Sequence, residues 1–148
     1  MRLNYRAIVV VLLSTVTVGA CGDDFNDSSN ADGAISNEIT GHVHEWAVDV
    51  DAMTAKAGVV NFTITNDGTI GHEFLVVKTE IADGKIPLAG DHFEEPSDGI
   101  EVIDEIGEFP VGETNKLTVT LEPGTYQLVC NLPAHYGSGM HMVFKVIS

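Results

Sequence analysis

The segment Val59–Thr65, VVNFTIT, constrains the fold more than any other part of this chain. Val60, Phe62 and Ile64 alternate with Asn61, Thr63 and Thr65. Only an extended strand sends alternate residues to opposite faces, so one face of this segment is buried and the other is wet. The same period recurs in HVHEWAVDV, where His44, Trp46, Val48 and Val50 share a face. HEFLVVKT from His72, NKLTVTL, TYQLVC and the closing HMVFKVI read as further strands. Asn66-Asp67-Gly68 and Glu122-Pro123-Gly124 supply turn chemistry between them. With no long amphipathic helical pattern, short strands punctuated by Gly and Pro predict an all-β chain, an antiparallel sandwich or barrel.

Between Glu80 and Phe109 the pattern breaks. The stretch is acidic and interrupted by Pro87 and Pro96. It predicts a long excursion off the sandwich, with one short helix or strand near Ile100–Ile106. Connections of that length are functional or mobile.

The N-terminus reads as an export signal. Arg2 and Arg6 precede a short apolar run, Ala7–Leu13, and small residues lead to Val18-Gly19-Ala20-Cys21. A bilayer needs about 20 apolar residues, so this run is a secretory leader and not a span. The four residues ending at Cys21 look like a bacterial lipobox, which implies cleavage before Cys21 and a lipid on its thiol. Gly22–Asn37 is Asp, Asn, Ser and Gly with little to bury, which predicts a flexible tether. The expected organisation is a leader over 1–20, a tether over 21–37 and one domain over 38–148.

Loss of the leader removes both arginines and leaves five lysines against 22 acidic residues, a formal charge of −17. Such a surface disfavours nucleic acid and anionic lipid and favours basic partners or cations. The membrane is then reached by the lipid alone. A lipidated Cys21 also leaves Cys130 without a disulfide partner, and an unpaired thiol in an oxidising compartment asks for a function.

The sequence CNLPAHYGSGMHM, Cys130–Met142, supplies one. Four residues separate Cys130 from His135, and four more separate His135 from Met140. Cys130 ends one predicted strand and Met140 begins the next, while Pro133, Gly137 and Gly139 let the loop bend so that the three side chains converge. His72, which starts a strand after the turn-like DGTIG, is the best candidate for a second imidazole. Singly, a cysteine or methionine is ordinary core and a turn histidine is ordinary surface. Jointly, two histidines, a cysteine and a weak methionine are the ligands of a blue-copper electron-transfer centre. Structural zinc uses more cysteines or histidines and no methionine.

Cys130-x4-His135-x4-Met140 with the upstream Gly71-His72-Glu73-Phe74 resembles the cupredoxins. The spacing is that of rusticyanin- and sulfocyanin-type members, not the shorter Cys–His gap of plastocyanins. The resemblance implies a Greek-key β-sandwich over roughly Glu38–Ser148, with the acidic excursion as an insertion. It implies one type 1 copper held by His72, Cys130, His135 and Met140.

Other donors stand apart from this set. His42 and His44 share a strand face and are either plain surface residues or a secondary copper-collecting site. Met142 has the parity of Met140, and His92 has no assigned role. Trp46, Phe62 and Phe74 are expected to pack the core and keep the centre dry. Val129 and Asn131 flank Cys130 where a multicopper oxidase needs histidines, and a dinuclear centre needs a second cysteine. Four protein ligands leave no open position for a substrate, so the chain is not expected to be an enzyme. Two functions remain: a membrane-tethered carrier of single electrons, serving a cytochrome or oxidase with a basic docking face, or a copper protein of tolerance or delivery.

Overall fold

The computed structural model describes residues 33–148. The leader, Cys21 and most of the tether therefore lie outside the described residues. Nine strands and one short helix follow in order: β1 Glu38–His44, β2 Ala47–Val50, β3 Thr54–Lys56, β4 Gly58–Asn66, β5 His72–Lys78, β6 Glu101–Phe109, β7 Thr114–Leu121, β8 Gly124–Val129, α1 His135–Ser138 and β9 His141–Ile147. They form two sheets, β2-β1-β4-β7 and β3-β9-β8-β5-β6. Most neighbours run antiparallel, as expected, but β1 pairs with β4 and β3 with β9 in parallel. Parallel neighbours cannot be joined by a tight hairpin. The chain meets that requirement at β3, which crosses to the other sheet before β4 returns beside β1.

The period-two segment of β4 buries the face predicted for it. Val60, Phe62 and Ile64 of β4 are fully buried and face Leu117, Val119 and Leu121 of β7 within one core. Phe62 stands at its centre, 5.3 Å from the ring of Phe74 and 5.5 Å from that of Phe144. Apolar burial of this kind is worth about 1.5–3 kcal/mol per large side chain and is the main force closing the two sheets.

β5 reads differently: Phe74, Leu75, Val76 and Val77 are all buried in succession. A strand with both faces covered needs apolar residues on both. The inner face packs into the main core. The outer face, Leu75 and Val77, packs with Val129, Tyr136, Ile86, Phe93 and Ile100 in a second cluster. Ile86, Phe93 and Ile100 come from the acidic stretch, so this segment is not an excursion away from the sandwich. It is a cover for the second face of β5, and its last third is β6, a full strand paired with β5.

HVHEWAVDV is likewise not one strand. β1 and β2 form a hairpin, and Glu45 and Trp46 are the two residues at its tip. Trp46 is 46% exposed there and does not join the core, whereas Phe62 and Phe74 are fully buried. The turn resets the alternation, so Val48 and Val50 still point inward. Before β1, Ile35 bridges to Thr54, and Asn37 bonds the backbone of Lys56 and Val59. The final residues of the predicted tether thus lie against the domain. No helix among the described residues is long and apolar enough to cross a membrane.

Candidate metal centre

Two loops at one end of the sandwich bring the donors together. The first runs from Asn66 to His72. Asn66, fully buried at the end of β4, accepts the Gly68 N–H at 2.9 Å and donates to the Ile70 and Phe109 carbonyls at 2.9 and 3.0 Å. It folds the NDG turn so that His72 enters β5 beside the other loop.

That second loop joins β8 to β9. Its ends are tied where the Cys130 N–H meets the Met140 carbonyl at 3.0 Å, and the Met140 N–H returns to the His135 carbonyl at 3.2 Å. The single turn of α1 lies between them. It is entered through Ala134 in a left-handed conformation, φ 69°, and left through Gly139 at φ 123°, where a β-carbon is strained. Ala134 donates to the Asp91 carbonyl at 2.7 Å, so the acidic cover also braces this loop. Tyr136 turns inward, donating to Gln127 at 3.1 Å and accepting the Ile86 N–H at 3.2 Å.

The result is a convergent set. His72 and Cys130 are fully buried and His135 is 8% exposed. The Nδ1 atoms of the two histidines lie 3.2 Å apart, and His135 Nδ1 lies 3.3 Å from Cys130 Sγ. Among the described residues this is the one group of three His, Cys, Asp or Glu donors within mutual reach of a single ion. Metal–donor bonds of about 2.0–2.3 Å place neighbouring ligands roughly 3.3–3.7 Å apart, so the observed spacings fit an ion with little movement. Met140 is fully buried and packs in the same core cluster as Cys130.

The surroundings act in opposite directions on the cysteine and the surface-side histidine. Burial pushes the Cys130 thiol up to about 11 against the hydrogen bond from the Glu73 N–H, 3.4 Å from Sγ. Burial, and then the neighbouring His72, hold His135 below the usual histidine range, so its ring is neutral near pH 7 and its lone pair is available. Burial also raises Glu73, whose Oε1 accepts the Asn131 N–H at 2.7 Å and links β5 to the cysteine loop.

Sequence reasoning singled out His72, Cys130, His135 and Met140, and the fold gathers the first three at one point. It missed Glu45, and it expected Trp46 in the core and not at an exposed tip against a ligand ring. Glu45 reaches His72 Nε2 at 3.2 Å, and the ring of Trp46 stands edge-on to His135 at 5.1 Å, 77° between planes. Backbone N–H donors hold the Glu45 carboxyl at about 2, that of Thr69 first, and Ile70 and His72 add to the effect. A glutamate and a tryptophan following a histidine strand carry no motif, and no local signal marks them. His42 and His44 lie outside the cluster. His42 Nδ1 pairs with Asp67, and His44 Nε2 lies 2.8 Å from Asp49, whose hydrogen bond raises its pKa. His141 pairs with Asp83 at 3.0 Å and His92 with Asp91 at 3.0 Å.

No family model and no curated protein matches the sequence. Solved structures do. The chain is similar to a dithionite-reduced auracyanin from Roseiflexus castenholzii, 26% identical over 78% of this chain and 100% of that one, TM-score 0.61. It is similar in fold to auracyanin A, a "blue" copper protein from Chloroflexus aurantiacus, 22% identical over 76% of this chain and 99% of that one, TM-score 0.56. A rusticyanin from Thiobacillus ferrooxidans is 19% identical over 77% of this chain and 78% of that one, TM-score 0.54. The fold is the cupredoxin β-sandwich. At one end of it the chain carries the buried histidine–cysteine–histidine cluster that fits a type 1 copper centre.

Proposed function

We propose that this chain is an exported carrier of single electrons in which His72 Nδ1, His135 Nδ1 and Cys130 Sγ would hold one type 1 copper, with Met140 as a weaker fourth donor. The observation that carries this reading is the convergence of those two nitrogens and one sulfur in a buried pocket. Copper held there would supply reversible one-electron exchange, thiolate and thioether suiting the reduced ion and imidazole the oxidised one.

The residues do the rest. The Glu73 N–H steadies the sulfur. Phe62, Phe74 and Phe144 pack the core beneath the loops and keep water out. His135 alone of the three reaches the surface, beside exposed Trp46, which gives the centre one edge open to a partner. With four protein donors there is no vacant position for a substrate, and the chain is not an enzyme. The strong negative charge of the domain fits a basic-faced redox protein, such as a cytochrome or oxidase, in a small and transient encounter. The leader and Cys21 support an exported, lipid-anchored location outside the cytoplasm.

The test is direct. Purified domain titrated with Cu(II) should take one equivalent, develop an intense thiolate-to-copper visible band and cycle reversibly by one electron; Cys130→Ser should lose the band. Several weakly held ions with no such band would instead support a tolerance or delivery role. Electron-transfer rates to a basic cytochrome should fall as ionic strength rises, and the mass of membrane-extracted protein should show a lipidated Cys21.

A further inference from the structure

Both ligand imidazoles are reached from a single turn. Trp46 stacks edge-on against His135, and its neighbour Glu45 places Oε1 3.2 Å from His72 Nε2. The Glu45 carboxylate is not free to wander. It accepts the Thr69 N–H at 2.9 and 3.2 Å and the Ile70 N–H at 3.0 Å, so the loop that presents His72 also clamps its acid partner. The space is shaped for this contact. A β-carbon on Gly68 would come within 2.8 Å of both Glu45 Oε1 and His72 Nε2 and would drive the pair apart. Among the described residues Glu45 is the one carboxylate that touches either ligand ring.

Resting on the copper reading above, we propose that Glu45 is the positioning residue of the metal centre: it accepts a hydrogen bond from the Nε2–H of His72, fixes the proton there so that Nδ1 is bare toward the ion, and sets a negative charge behind the ring. A carboxylate only accepts, so the hydrogen bond requires the proton on Nε2. A neutral imidazole has one proton, and Nδ1 is then a lone pair facing His135 Nδ1 within the cluster that includes Cys130. A carboxylate bonded to the far nitrogen makes the ring a stronger donor and favours the more highly charged ion. Glu45 therefore stabilises Cu(II) over Cu(I) and lowers the reduction potential. Gly68 keeps the space in which it does so.

Two measurements test this. In the metal-free wild type near pH 8, long-range proton–nitrogen NMR should find His72 protonated on Nε2; a proton on Nδ1 overturns the proposal, and no variant or copper is involved. In the loaded protein, Glu45→Gln should keep one copper and the thiolate band. It should bind Cu(II) about 10–100-fold more weakly and lose less affinity for Cu(I), so its potential rises, each tenfold change in the ratio being about 59 mV. Gly68→Ala should move the potential in the same direction. A Glu45→Gln protein with both affinities and the potential unchanged overturns the proposal and leaves the copper reading standing. A wild type that takes no copper, or takes it without the thiolate band, overturns both.

Discussion

Asn66→Asp should be among the most damaging isosteric changes in this domain, though Asn66 binds nothing but backbone. Its amide nitrogen donates to two carbonyls, Ile70 at 2.9 Å and Phe109 at 3.0 Å, while its oxygen accepts the Gly68 N–H at 2.9 Å. Aspartate keeps the acceptor and loses both donors. Two carbonyls are then orphaned, at about 1–3 kcal/mol each, and a carboxylate is set against their oxygens in a fully buried position. The loss should reach at least about 3 kcal/mol, against a total stability of about 5–15 kcal/mol. At roughly 4 °C per kcal/mol for a domain of this size, the melting temperature should fall by about 12 °C or more. Urea unfolding of the metal-free domain at pH 7, with the m-value compared between variant and wild type, gives the number. Burial raises the folded pKa of the new acid above its unfolded value, so the deficit should shrink as pH falls and the carboxyl regains a donor proton. A variant within 1 kcal/mol of wild type at pH 7 would refute the claim that this side chain builds the loop presenting His72 and holding Glu45.

Other consequences follow from the core and the site. Phe62→Ala should cost about 3–5 kcal/mol by calorimetry, because Phe62 is fully buried between Phe74 and Phe144. The Cys130 thiol is raised by burial from 9.0 to about 11, so in the metal-free domain its contribution to stability is complete below pH 9 and is lost as pH rises through 11. Between those limits the wild type should lose about 2–3 kcal/mol more than Cys130→Ser, whose tyrosines and lysines titrate alike. Parallel urea curves for the two proteins would contradict this. Trp46→Ala, at an exposed tip, should change the melting temperature by only a few degrees yet slow electron exchange with a partner and perturb the His135 ring signals; rates and spectra equal to wild type would remove Trp46 from the docking edge.

The strands with one wet face could be read from the chain because burial leaves a period-two trace, as in Val60, Phe62 and Ile64. Where both faces are covered that trace vanishes. β5 shows only a continuous apolar run, and nothing in it says that Ile86, Phe93 and Ile100 supply the second cover. For the same reason the acidic segment looked like a departure from the fold: its few apolar residues have no period, and their partners are distant in sequence. The hairpin tip at Glu45-Trp46 lacks Gly, Asn or Pro, so turn chemistry gave no warning there. Alternation carried across it merged two strands into one and sent Trp46 to the wrong place.

The metal centre divides along a similar line. Candidate donors that share a loop announce themselves: Cys130, His135 and the proposed Met140 sit at a regular spacing within the reach of one bent segment. His72 was found through its chemistry and its place at a strand start. The groups that set the properties of those donors obey no such constraint. Glu45 stands 27 residues before His72 and meets it only because β1 lies beside β4 and the Asn66 loop folds back over the hairpin tip. Any acid on that tip would look the same in the sequence. The identity of a metal site is thus a local property of the chain. The charge and tautomer that tune it belong to the packing of two sheets, which is why Gly68, a residue with no chemistry of its own, matters to the potential through the space it leaves empty.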